Sequence, residues 1–173
     1  MIRVFLTPQE NMKCKQMGYD TVQICEDQSA KARINPFKEK RSRRDSNFLG
    51  FKGEYAFSKL FELSPTDVTE DADDGIDYVL PDNRTVDVKA TGKLEGDLII
   101  DSFDSFRADI AVLCYTTEKR SCVDFYGWIN KKEFMGLCKE KDYGHGMRKY
   151  AESNQLHDIE DLLNVYELKG VTI

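Results

Sequence analysis

Glu54, Asp77, Asp87 and Lys89 are the residues of this chain whose types and order could do chemistry together. Asp87-Val88-Lys89 sets a carboxylate and an amine two residues apart, and on an extended strand such residues share a face. Asp77 closes the run Asp73-Asp74-Gly75-Ile76-Asp77, and Glu54 precedes it on a segment with helical periodicity. Carboxylates are the hard oxygen ligands that Mg2+ takes, and Mg2+ keeps several waters, so two or three carboxylates and a carbonyl suffice. The carbonyl of Val88 lies between Asp87 and Lys89 and is the natural candidate. A cation held there lowers the pKa of an attacking water and neutralises charge growing on a phosphorus centre and its leaving oxygen. Lys89 would then position that water or hold a phosphate oxygen. The chemistry this set fits is hydrolysis of a phosphodiester.

Each piece also has a plainer reading. An Asp-x-Lys triplet is common as an ion pair on an exposed strand face, and the acidic run from Glu70 to Asp77 reads equally as a solvated loop. That run fails as a calcium loop, because counting from Gly75 puts Ala72 and Pro81 where ligands are required. Thr91-Gly92-Lys93 lacks the upstream glycine of a phosphate-binding loop, and His145 and His157 form no H-E-x-x-H pair. Tyr143, His145, Arg148 and Lys149 read as ordinary loop residues or as phosphate contacts.

The elements that must position the set can be read around it. Thr7-Pro8-Gln9-Glu10 opens a helix running into the twenties, after a short strand or staple over Met1–Leu6. Asp45 or Ser46 caps a second helix, Asn47–Leu63, whose Leu49, Gly53, Ala56, Phe57 and Leu60 form one stripe. Glu54 falls at the margin of that stripe and is expected to be half-buried. Ile76–Leu80 and Thr85–Ala90 form a hairpin about Pro81-Asp82-Asn83-Arg84, with Val86, Val88 and Ala90 on one face and Asp87 and Lys89 on the other. Leu98–Asp101 is a further short strand; Asp109–Tyr115 is a buried central strand paired with Cys122–Ile129. Helices are expected over Asn130–Lys139 and Asp158–Val165, with a loop at Tyr143–Gly146 between them. The fold class is mixed α/β, of the α+β kind.

At 173 residues the chain is long enough for one domain with a real core, and its 10 Phe, 8 Tyr and 1 Trp exclude a disordered chain. No apolar run is long enough to span a bilayer or form a signal peptide, so no membrane partner is expected and the compartment is the cytoplasm. Cys14, Cys25, Cys114, Cys122 and Cys138 lack paired spacing and are expected as free thiols. The net charge of −6 is unevenly spread: the segment from Lys31 to Arg44 is +6 and the remainder −12. Such a segment is either a solvated helix end or a grip on phosphates, needing Lys and Arg but no particular spacing.

Gly50-Phe51-Lys52-Gly53-Glu54-Tyr55-Ala56-Phe57, Asp74-Gly75-Ile76-Asp77-Tyr78 and Val86-Asp87-Val88-Lys89-Ala90-Thr91 together resemble the PD-(D/E)xK nuclease superfamily. The likeness is to its small phage and prokaryotic members and to the archaeal Holliday junction resolvases, and it covers residues 47–138. It implies a restriction-endonuclease-like core, a central mixed sheet flanked by helices. It implies Mg2+ or Mn2+ held by Glu54, Asp77, Asp87 and the Val88 carbonyl, with Lys89 assisting the water. Ile76 stands where the eponymous Pro would be, so Asp74 competes with Asp77 for the first strand position. Only Ser102–Ala108 is available for the helix that usually crosses between the later strands. The expectation is one nuclease-like domain over 1–173: a helical basic extension (1–45), a catalytic core (46–139) and a C-terminal loop and helix (140–173). Its partner would be nucleic acid, DNA before RNA, gripped through Lys38, Lys40, Arg41, Arg43, Arg44 and Lys52. A homodimer is implied if it resolves junctions, and the compact size suggests a phage-encoded protein acting in the host cytoplasm. The competing reading is a non-catalytic binding module on the same fold.

Overall fold

A computed structural model describes residues 1–29, 40–65, 75–144 and 146–167. Strand β1 (Ile2–Phe5) leads into helix α1 (Pro8–Ser29), which opens as the sequence predicts. The Thr7 amide donates to Glu10 Oε2 at 2.6 Å and the Glu10 amide donates to Thr7 Oγ1 at 3.2 Å, a reciprocal cap with Pro8 in the first turn. Helix α2 (Lys40–Leu60) carries Glu54 and begins about one and a half turns before the expected cap. The hairpin strands follow, β2 (Tyr78–Val79) and β3 (Thr85–Thr91), paired antiparallel about a turn in which Asn83 takes φ 68°. Then come β4 (Leu98–Ile100), β5 (Ile110–Tyr115), β6 (Cys122–Asn130), α3 (Lys131–Leu137), β7 (Lys139–Asp142), β8 (Met147–Ala151) and α4 (Ile159–Glu167).

The main sheet has five strands in the order β1-β6-β5-β3-β2, with β3 parallel to β5 and the other neighbours antiparallel. β4, β8 and β7 form a second, three-stranded antiparallel sheet. The fold is therefore mixed α+β, with four helices among the described residues. Two cores lie on opposite faces of the main sheet. Ala56 and Phe57 of α2, Phe61 just after its end, and Ile159 and Leu162 of α4 pack on Val86, Val88, Ile110, Val112, Cys114, Val123 and Phe125. On the other face Leu98, Ile100, Phe106, Phe134 and Ala151 cover Ala111, Leu113 and Ile129.

Several expectations change. β1 pairs with β6 and so belongs to the central sheet, not to an extension outside it. The stretch from β4 to β5 contains turns and no helix, so the parallel step from β3 to β5 is made through a strand of the second sheet. The helix after Asn130 stops at Leu137, and Lys139–Asp142 is a strand although all four side chains are charged. Period-two reading needs an apolar face, and this edge strand has none. Among the described residues no helix is long and apolar enough to cross a membrane.

Candidate active site

Glu54 is placed by the glycine before it. A Cβ on Gly53 would lie 2.8 Å from Cys114 Sγ and 3.3 Å from Ala90 Cβ, so only hydrogen lets α2 come down onto β3 and β5. Glu54 is thereby held half-buried where helix meets sheet, and its backbone carbonyl accepts the Tyr78 hydroxyl at 2.9 Å. The Cys114 thiol shows what lies nearby. Its pKa is raised, first by burial and then by the negative charges of Glu54 and Asp77.

Asp77 sits at the mouth of the hairpin. Its amide donates to the Val86 carbonyl at 2.8 Å, and its Oδ2 accepts the Val88 amide at 2.6 Å. The β2 ladder ends at the Tyr78 and Val86 pair, so the side chain of Asp77 takes up the edge of β3 that β2 no longer covers. The N–H and C=O of one strand residue point to the same edge, which directs the Val88 carbonyl toward Asp77 as well.

Asp87 and Lys89 meet as the period predicts, with Lys89 Nζ 2.7 Å from Asp87 Oδ1. Their surroundings differ from the expected exposed face. Asp87 is in register with Ala111 and Lys89 with Leu113, on the side covered by the second core, and the Asp87 side chain is only 3% exposed while that of Lys89 is 40% exposed. Asp87 is thus a buried carboxylate with its counter-charge at the rim.

The strand pleat separates the set. Val86 and Val88 face α2, while Asp87 and Lys89 face the second sheet, so the acids lie around one edge of β3 and not in one cage. Among the described residues no three His, Cys, Asp or Glu side chains form a group that could hold a metal ion. Glu54, Asp77 and Asp87 are thus not brought together as one three-carboxylate group here. A two-carboxylate site does fit by donor type: Asp77, Asp87 and the Val88 carbonyl are hard oxygens, and Mg2+ fills its remaining positions with water.

Lys52 is a correction. Its side chain is fully buried, and its ammonium donates to the carbonyls of Thr117 at 2.9 Å and Arg120 at 2.5 Å, beneath the Phe48 ring at 5.2 Å. Burial lowers its pKa. It ties α2 to the β5–β6 turn and offers nothing to a phosphate. Lys40, Arg41, Arg43 and Arg44 form the first turns of α2, and the ten residues from Arg44 to Glu54 span about 15 Å of helix. Lys38, Asp74 and His145 lie outside the described residues. Tyr143 donates its hydroxyl to Asp97 at 3.1 Å; Arg148 and Lys149 lie on strand β8 and not in a loop, and pair with Asp101 and Glu140.

One group escaped sequence reading. Asp124, buried in β6, is bound by Arg3 (Nε to Oδ1, 2.5 Å) and by Arg120 (Nη2 to Oδ2, 2.7 Å). The Arg120 guanidinium also lies 4.7 Å over the Tyr115 ring, and Tyr115 stands parallel to Tyr126 at 6.2 Å with 3° between the planes. The available signal was an acid inside the apolar run Cys122-Val123-Asp124-Phe125, a position that burial permits only with a partner. Compared with known proteins, the chain matches no protein-family model, no curated protein and no solved structure.

Proposed function

We propose that the chain is a metal-dependent nuclease that hydrolyses phosphodiester bonds, acting on DNA as an endonuclease. The observation that carries this reading is the mouth of the β2–β3 hairpin, where Asp77, the Val88 backbone, Asp87 and Lys89 lie within one short stretch of strand edge. The order helix, hairpin, then a strand parallel to β3 supports a restriction-endonuclease-like core, with a strand of the second sheet where that core usually has a helix.

On this reading Asp77, Asp87 and the Val88 carbonyl hold Mg2+ or Mn2+, which when bound lowers the pKa of water and neutralises phosphate charge. The chain's own groups do the rest. Asp87, with little water around it, attracts a cation more strongly than a surface carboxylate would. Lys89 has its counter-ion at one end and solvent at the other, so its ammonium can turn from Asp87 Oδ1 to a phosphate oxygen or to the attacking water. Glu54, on the helix side of β3, acts on water at the same edge. Lys38, Lys40, Arg41, Arg43 and Arg44 lead into the helix that carries Glu54 and hold the phosphates that approach the site.

A second reading is a non-catalytic nucleic-acid or protein binding module, favoured by the pairing of the buried Asp87 with Lys89. The test is incubation of wild type and Asp87→Asn with linear, circular, single-stranded and four-way-junction DNA in Mg2+, Mn2+ or EDTA. Metal-dependent cutting lost in the variant is expected. Selective cutting of junctions by a dimer would identify a resolvase. Salt-sensitive binding with no cutting by either protein would replace the nuclease reading by the module.

A further inference from the structure

We propose that the face of the main sheet beside Lys89 is a binding surface for single-stranded nucleic acid, with Tyr115 and Tyr126 stacking on unpaired bases and Arg3, Arg120 and Lys89 taking phosphates. The proposal deepens the nuclease reading by naming its substrate class and rests on that reading only for what happens after binding.

The residues form one continuous row. Arg3 of β1 pairs in register with Asp124 of β6, Asp124 with Tyr115 of β5, and Tyr115 with Thr91 of β3. Cross-strand partners share a face, so these four side chains cross the sheet side by side. Lys89 lies two residues before Thr91 on the same face, about 8 Å from Tyr115 by strand geometry. Tyr126 joins the row through a β-bulge: the register slips between Leu113 and Cys114, so that Gly127 faces Leu113, Phe125 faces Cys114, and Tyr126 is the extra residue. A bulge re-aims a side chain, and here it stands Tyr126 parallel to Tyr115.

The second core thins out along this row. Ala111, Leu113 and Ile129 are fully buried under the core, Tyr126 packs on its margin and accepts the Glu95 amide at 3.0 Å, Tyr115 is half-buried like Tyr126, and the Arg3 side chain is 49% exposed. Burying one carboxylate calls for one cation, yet Asp124 has two, so Arg3, Arg120 and Asp124 together carry one positive charge. The second cation lies over an aromatic ring, 4.7 Å from the Tyr115 centroid. Guanidinium, ring and ring make a sequence of π faces that an unpaired base extends. Stacking of this kind is worth about 1–3 kcal/mol per base and needs no particular sequence. A duplex keeps its bases stacked on one another and offers this row only its phosphates. On a protein of net charge −6, where electrostatics alone is a weak attractant, stacking decides which form binds.

The experiment is fluorescence anisotropy of labelled oligo-dT and of a duplex of equal length, in EDTA so that nothing is cut. Wild type is expected to bind oligo-dT more tightly than duplex. Replacing both rings (Tyr115→Leu with Tyr126→Leu) is expected to weaken oligo-dT binding by roughly 10- to 100-fold, while Tyr115→Phe with Tyr126→Phe retains it. Equal affinity for the two forms, or Leu variants that are folded by circular dichroism and bind oligo-dT as wild type does, would overturn the proposal. If the Leu pair does not fold, Arg3→Gln at the sheet edge is used instead. Its salt dependence should flatten by about one ion, and an unchanged slope counts against the surface. Failure of the two readings is separable. Tyrosine-dependent binding with no cutting in Mg2+ overturns the nuclease alone, and cutting that Asp87→Asn abolishes but the Leu pair leaves untouched overturns this surface alone.

Discussion

Asp87 is a carboxyl group at 3% exposure that pairs with Lys89, which is itself 40% exposed. Removing the ammonium takes an ion-pair partner from a buried carboxylate, which costs more than a surface pair and less than a fully buried one. Lys89→Met is expected to lose about 1–3 kcal/mol in urea unfolding. If a divalent cation uses the same carboxylate, Mg2+ should restore part of that loss and raise the Tm of Lys89→Met more than that of wild type. Asp87→Asn should show no such response, and identical Mg2+ shifts in all three proteins would remove Asp87 from the metal site. Asp124 gives a pH prediction. Burial works to raise its pKa, but hydrogen bonds from Arg3 and Arg120 and their charges hold it below the ordinary carboxylate value of 3.8. A folded value below the unfolded one contributes stability above pH 3.8 that is lost as pH falls through the folded value. The deficit of Asp124→Asn, about 2–4 kcal/mol at neutral pH, should therefore shrink steadily below pH 4; a deficit independent of pH would show that packing and not charge is lost. At this scale the pairing of Asp87 with Lys89 was legible from their spacing. The burial of Asp87 was not, because alternation names a face and not what covers it. Lys52 misled for the same reason: on a helix it reads as a solvated cation, and only the Thr117 and Arg120 carbonyls, 65 and 68 residues away in sequence, turn it inward.

Helix α2 and strand β3 meet at Gly53, and the closeness of that meeting sets where Glu54 stands. Glycine in a helix interior normally costs about 1 kcal/mol against alanine. Here the added methyl would press on Cys114 Sγ at 2.8 Å and Ala90 Cβ at 3.3 Å, and overpacking of this sort costs about 1–3 kcal/mol. Gly53→Ala should thus destabilise despite its better helix propensity. Gly53→Ala combined with Cys114→Ala should recover part of the loss, and strictly additive effects in the double-mutant cycle would refute the contact. The elements with a strong period or a cap were readable from the chain: α1, the body of α2, the β2–β3 hairpin, and β5 against β6. What was not readable depended on partners distant in sequence. β1 is four residues long and becomes part of the main sheet only because β6 offers it an edge, and β7 is a charged strand that exists through its pairing with β8. The bulge at Tyr126 is of the same kind, since a register slip has no signature in the residues that undergo it.

Across the whole molecule the charge is divided: +6 on Lys31–Arg44 and −12 on everything else. At ordinary ionic strength fields fade over about 10 Å, so a polyanion meets the basic segment and the sheet face as local surfaces despite the acidic remainder. The two surfaces should contribute in different ways. If Lys38, Lys40, Arg41, Arg43 and Arg44 contact phosphates as proposed, they release counterions, and their number sets the slope of log affinity against log salt, near 0.7 to 0.9 per phosphate neutralised. Stacking on Tyr115 and Tyr126 releases few ions and shifts affinity by the same factor at every salt concentration. Changing the five basic residues to glutamine should flatten the slope by up to about 4 for duplex and somewhat less for single strands. The paired Leu substitutions should lower single-strand affinity with the slope intact. Titrations of oligo-dT and duplex over a range of salt, read by anisotropy, distinguish the two effects. A slope unmoved by the glutamine variant would mean that the basic segment is a solvated helix start, and would leave Arg3, Arg120 and Lys89 as the cations that hold the phosphates.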